Sequence, residues 1–391
     1  MKLKLRGFIP KNYIIENYSI PIRTWKKDYP IPTKLKLFRS KIKTTTSYNT
    51  KTEIIRYCLL GEVKKEFKKN KFKYIKLKNK IFIKIISKCN NLNLNNRKLI
   101  FDGKYLRIVL KNNEMGIWSF KRTIISFTIL PKIITLNFDF FELIGILDGE
   151  MNRKIRKDRN GQTVKISNSE PIIIKHIVNT FEKYFLINRK LIRGSITFNS
   201  KCMQINKEED NNYKKIWSKL INIPLENFSK STMNTKYMSK KSPIGVLQIR
   251  YENSMLFNIL MNIIKNIRKI TLSHKNYTTA YLRGLSAAEG GIGKVYNRKT
   301  EGLRLVFISS MNKKDKLFYM KCLKNINITS YNEYPLRVEI YGKNNFLKLY
   351  NFDLFKYHPE RKRNFIKHLK KSYPFITDSG TNLTTLEAIP T

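Results

Sequence analysis

Two stretches of this chain share one pattern, and that pattern limits how they can pack. Phe141 to Met151 reads FELIGILDGEM, and Tyr281 to Gly291 reads YLRGLSAAEGG. Each is an apolar run with two small residues four apart, Gly145 and Gly149 in the first, Gly284 and Ala288 in the second. Four residues is about one helical turn, so each stretch predicts a helix with one face free of side-chain bulk. Two such faces let helix backbones approach closely. A single acid follows each face, Glu150 in one and Glu289 in the other. Parallel packing would bring both carboxylates to one end of the interface, where the helix dipole already disfavours negative charge. Crowded acids repel unless a cation sits between them, and hard oxygen ligands suit magnesium.

These residues resemble the LAGLIDADG family of homing endonucleases and maturases. The pattern falls on Leu143, Gly145, Asp148, Gly149 and Glu150, then on Leu282, Gly284, Ala288, Glu289 and Gly290. Met151 stands where the first motif usually ends in glycine, and Ala287 replaces the inner aspartate of the second. Wording around Trp217, Ile223-Pro224-Leu225, Phe228 and Gly245-Val246-Leu247 is similar to single-chain, archaeal-type members. The resemblance covers about residues 135 to 370. It implies an interface built by Gly145, Gly149, Gly284 and Ala288, with Glu150 and Glu289 holding the metal that cleaves DNA.

Charge agrees with a polyanionic partner. Lysine and arginine number 78 against 28 acids, a formal +50 that calls for nucleic acid or an anionic surface. No run of about twenty uncharged apolar residues is present, which argues against a spanning helix. The opening lacks the apolar block of a secretory leader. The expected location is therefore inside the cell, in a prokaryotic cytoplasm or an organelle. Cys58, Cys89, Cys202 and Cys322 form no CxxC pair, and the four histidines have no ligand spacing, so neither a zinc knuckle nor a disulfide framework is expected.

Residues 1–135 are expected to be a basic α+β region of their own. The first hundred residues hold 27 Lys and Arg against 5 acids. Thr52 to Phe67 reads as a helix, with alternating strands at Phe72 to Ile86 and Lys104 to Leu110. A first half should follow over 136–272, a second over 273–376, and a loose polar tail over 377–391.

After Met151 comes RKIRKDR, then Asn160-Gly161 and a second alternating run, a strong hairpin signal. It would carry Arg153, Lys154, Arg156, Lys157, Arg159 and Lys165 on a ribbon that fits the major groove, where basic side chains meet phosphates and guanine edges. GIGKVYN and LRLVFISS flank a turn at RKTEG and predict a matching ribbon with Lys294, Arg298 and Arg304. Each half then reads helix, strand, strand, helix, strand, strand, helix. The expected fold class is α+β: two pseudo-symmetric αββαββα halves whose sheets form a DNA-binding saddle.

The expected function is a site-specific endonuclease making magnesium-dependent double-strand breaks as a monomer. Each acid would serve one strand, with metal activating water and stabilising the leaving 3′ oxygen. Asn168 and Ser310, just beyond the second strand of each ribbon, and the basic Lys265 and Lys356 are candidate assistants. The alternative is a maturase that binds intron RNA, or a decayed relative that binds DNA without cutting it.

Overall fold

The computed structural model describes residues 1–9, 13–16, 19–21, 99–101, 105–108, 112–121, 124–151, 163–199, 205–234, 243–296, 301–332 and 335–373. The expected helix at 52–67, the strands at 72–86 and the tail at 377–391 lie outside them.

At the centre is α1 (Phe138–Glu150), with Asn137 as its cap: the side-chain oxygen accepts from the Phe140 amide at 3.1 Å. Ten of its thirteen residues are buried, so it is enclosed on every side rather than amphipathic. Such a helix must be surrounded. The partner along its length is α5 (Lys275–Glu289), and α2 (Pro171–Phe185) and α4 (Ser254–Ser273) also pack on it.

Two sheets grow from the ends of the central helices. In the first half the order is β11 (Thr232–Asn234), β10 (Arg193–Asn199), β12 (Val246–Tyr251), β9 (Val164–Asn168), with α3 (Lys207–Ile221) inserted after β10. Only the β10–β11 pairing is parallel. In the second half β13 (Gly290–Tyr296), β14 (Glu301–Ser309) and β15 (Arg337–Ile340) are antiparallel neighbours, with α6 (Lys313–Asn325) between the last two. Then come α7 (Lys343–Asn351) and α8 (Pro359–Ser372).

The expected strand at 202–205 falls mostly outside the described residues. The one expected near 329–334 is reduced to a single bridge, Tyr331 to Glu339, with 333–334 undescribed.

The opening of the chain is stitched into this core. β1 (Lys2–Lys4) pairs with β8 (Ile133–Thr135), and the Asn262 amide on α4 donates to the Phe8 carbonyl at 3.1 Å. β6 (Glu114–Lys121) and β7 (Ile124–Pro131) form a hairpin whose Met115, Ile117 and Leu130 join Leu3, Leu5 and Ile134 in the same apolar cluster as α1 and α4. Among the described residues, part of the segment before residue 135 shares a core with the central helices. Further short pairings link β2 (Tyr13–Glu16) to β6, and β3 (Ser19–Pro21), β5 (Tyr105–Ile108) and β4 (Leu99–Phe101) to one another.

Candidate functional site

The small residues decide how the central helices meet. A Cβ built on Gly145 would lie 2.1 Å from the Tyr281 carbonyl oxygen, and one on Gly284 1.9 Å from that of Glu142. One on Gly149 would lie 2.5 Å from the Ala288 Cβ. No side chain fits at those distances, so the backbones are in direct contact. Gly145 faces Tyr281 and Leu285 while Gly149 faces Ala288 and Glu289, so the two helices run in the same direction. Their C-terminal ends coincide, and Glu150 and Glu289 sit there together. The same Gly149 position is 3.7 Å from Glu289 Oε1, which places that carboxylate against the last turn of α1.

Burial pushes the Glu150 carboxyl up to about 8, against a hydrogen bond from Asn168 that favours the ionised form. Glu289 raises it further, and Arg361 lowers it. The Asn168 amide donates to Glu150 Oε1 at 2.6 Å, and its own oxygen accepts from the Glu170 backbone at 2.8 Å. Strand register explains the placement: Met151 bridges Ile166, and Asn168 lies two residues beyond. In the second half Gly290 pairs with Ile308, and Ser310 lies two residues beyond. Ser310 is thus the register counterpart of Asn168, and its buried hydroxyl oxygen has no hydrogen-bond partner among the described residues.

A cation at this end is Arg361 on α8, which the sequence reading did not single out. Its Nη1 donates to the carbonyl oxygens of Ser286 and Ala287 at 3.1 and 3.0 Å, satisfying the C-terminal end of α5. Burial lowers the guanidinium pKa, while Glu150, Glu170, Glu289 and Glu360 act to raise it. His358 caps α8, its Nδ1 accepting from the Arg361 amide at 3.4 Å, and its Nε2 is 3.8 Å from Glu170. Burial first, then the Arg361 charge, holds that imidazole down to about 4, so it is neutral at pH 7.

Other expected residues fall elsewhere. Lys356 belongs to a different cluster: its ammonium is 3.2 Å from both oxygens of buried Glu142, which also accepts from Arg283 Nε at 2.7 Å and from the Tyr357 hydroxyl. Glu142 precedes Glu150 by about two helical turns, roughly 12 Å along α1, so Lys356 does not assist the acid pair. Lys265 is exposed on α4 and makes no hydrogen bond or ion pair with a described residue. The inner acid of the first motif, Asp148, is also structural. It accepts from the Tyr281 hydroxyl and is 3.3 Å from Arg268, which bonds Asp315 in turn.

Of the expected DNA contacts, Arg153, Lys154, Arg156, Lys157, Arg159 and Arg298 lie outside the described residues. Lys165 on β9 alternates with buried Val164 and Ile166 and so faces outward. Arg304 is exposed at a register shift in β14. Lys294 corrects the expectation: it pairs with Leu303, a core residue, and so shares the core-side face of its sheet rather than the open one.

Among the described residues no group of three His, Cys, Asp or Glu is arranged to hold a metal, so the acid pair stands as two carboxylates. No described helix is long and apolar enough to cross a membrane.

No protein-family model matches the chain, and no curated protein matches it. Solved structures do. The homing endonuclease I-WcaI bound to its DNA recognition sequence is 16% identical, covering 59% of this chain and 88% of its own, at a TM-score of 0.34. The LAGLIDADG meganuclease I-AabMI bound to uncleaved DNA is 12% identical over 62% of this chain and 92% of its own, at 0.33. I-DmoI in complex with DNA and calcium is 13% identical over 55% and 87%, at 0.27.

Proposed function

We propose that the chain is a site-specific endonuclease that cuts both strands of duplex DNA with magnesium held at Glu150 and Glu289. The observation that carries this reading is the convergence of those two carboxylates at the shared end of two parallel helices. Burial and mutual repulsion leave Glu150 short of positive charge, which a divalent cation would supply. Two carboxylates are also the right number: magnesium keeps several waters and takes one or two protein acids besides substrate phosphate. When bound, the metal supplies a Lewis acid for the phosphate and lowers the pKa of a coordinated water.

The protein groups divide the rest of the work. Asn168 fixes the orientation of the Glu150 carboxylate through its amide. Ser310 offers a hydroxyl at the equivalent position beside Glu289. Arg361 offsets the charge of both acids, so that a phosphate can approach them, and it locks α8 to the end of α5. The net charge of +50 provides sequence-independent affinity for the duplex, and outward residues of the sheets provide choice of site.

The test is a supercoiled plasmid carrying a site selected from a randomised duplex library. The wild-type protein should give linear product with magnesium. Glu150→Gln and Glu289→Gln should keep duplex binding and lose cleavage by several orders of magnitude, with nicked product where the strands are served separately. Wild-type levels of linear product from either variant would remove that carboxylate from the mechanism.

A further inference from the structure

The strand register that places Asn168 and Ser310 also aligns two rows of outward residues, one across each sheet. In the first half Lys165 pairs with Arg250, and Arg250 with Arg193, so three cations stand side by side. In the second half Phe307 pairs with Glu339, and Glu339 bridges Tyr331. The rows are equivalent, because Lys165 precedes Ile166, the partner of the residue after Glu150, and Phe307 precedes Ile308, the partner of the residue after Glu289. The opposite faces of both sheets are core: Val164, Ile166 and Ile249 in one, Val306, Ile308 and Val338 in the other.

The one charge of the second row, Glu339, is paired. Glu339 is fully buried, accepting from Arg337 and from the Tyr341 hydroxyl at 2.8 Å. Arg337 in turn lies over the Phe307 ring at 4.8 Å. Beside Arg337, whose side chain is 31% exposed, the open residues are largely apolar. Tyr331 is 43% exposed, Leu336 49% and Met311 52%, and the last two adjoin through the Ser310 amide bond to the Leu336 carbonyl. The first row is instead continued by Ser167, Gln248 and Ser195, a polar face that suits phosphates and base edges.

We propose, building on the endonuclease reading, that the two halves read the duplex by opposite chemistry. The first uses Lys165, Arg250 and Arg193 on phosphates and guanine edges. The second uses Phe307 and Tyr331 on the C5-methyl groups of thymine in the major groove. Thymine is the base whose groove edge offers an apolar group, and aromatic and other apolar side chains are its usual partners. Both rows begin one step from the acids, so the bases read this way flank the cut. Uracil lacks the methyl, so the same row favours DNA over RNA of equal sequence.

The test reselects sites from a randomised duplex library with the wild type, Phe307→Ala and Arg250→Ala, then replaces single thymines with deoxyuridine. The wild type should enrich thymine on one side of the cut. Deoxyuridine there should weaken binding about three- to five-fold, the value of one buried methyl, and have no effect on the other side. Phe307→Ala should abolish that difference, and Arg250→Ala should relax preference on the opposite side and flatten the salt dependence. Tyr331→Ala, at an exposed position, repeats the measurement without risk to the core, and thermal melts verify folding. A thymine preference untouched by Phe307→Ala and Tyr331→Ala, or both rows acting on one side, would overturn the proposal. Loss of self-association in Phe307→Ala with unchanged base preference would instead assign the face to a second copy of the chain. Failure of the wild type to retain any duplex would sink the endonuclease reading itself.

Discussion

The amide of Asn168 donates to the carboxylate of Glu150 at 2.6 Å, joining the end of β9 to the end of α1. Residues that orient a metal-binding carboxylate usually matter about 10- to 100-fold. Asn168→Ala should therefore slow single-turnover cleavage by that factor while duplex retention stays unchanged. Asn168→Asp should do worse, since it places a third negative charge beside Glu150 and Glu289. Equal rates for wild type and Asn168→Ala would make the hydrogen bond purely structural.

The helix contact gives a sharper steric expectation. Gly284→Ala would drive a methyl to 1.9 Å from the Glu142 carbonyl oxygen, which belongs to a rigid neighbouring backbone. Overpacking a core typically costs about 1–3 kcal/mol, and a clash with backbone belongs at or above the top of that range. Gly7→Ala, with nothing within 4 Å of the new atom, is the control and should be near neutral. Urea midpoints of the two variants measure the contrast, and similar values would mean that the helices slide apart easily.

Much of this centre was legible because its signals are local. Two small residues one turn apart, followed by an acid, specify a helix face and the chemistry at its end within a dozen residues, twice. Strand counting then reached Asn168 and Ser310. Arg361 was not legible: it sits in PERKRN, one cation among 78, and only the packing of α8 against the end of α5 singles it out. Lys356 misled for the same reason, since abundance hides which lysine a buried acid captures, and Glu142 captures this one. The row of Phe307, Glu339 and Tyr331 on the second sheet was hidden too, because a shift between Gly293 and Lys294 changes which residues face outward.

Acid sensitivity follows from His176. Burial holds its imidazole down to about 4 from the ordinary 6.5, despite the opposing pull of Glu142 and Asp139. A depressed histidine stays neutral when folded while the unfolded chain takes up a proton. The stability it permits is thus fully present above about pH 6.5 and is lost as pH falls toward 4. Between pH 7 and 5 this should remove about 2 kcal/mol. His176→Leu should flatten the fall in urea midpoint across that interval. An unchanged slope would assign the acid loss to other groups, His358 first among them, since burial depresses it in the same direction.

The last expectation concerns Arg361 and its coupling to the acids. Arg361→Ala removes two charge-assisted hydrogen bonds to the Ser286 and Ala287 carbonyls, each worth about 1.5–3 kcal/mol. It also removes a positive charge that interacts with both Glu150 and Glu289. Stability and cleavage should both fall, and Arg361→Lys should recover only part, because a single ammonium lacks the planar fork that spans two carbonyls. The electrostatic share is separable. Above about pH 8, where Glu150 is ionised, the double variant Arg361→Ala/Glu150→Gln has less charge to offset, so the combined destabilisation should be smaller than the sum of the two single effects. Thermal or urea melts of all four proteins give the coupling. Additivity within about 0.5 kcal/mol would show that Arg361 serves only to fasten α8 to α5.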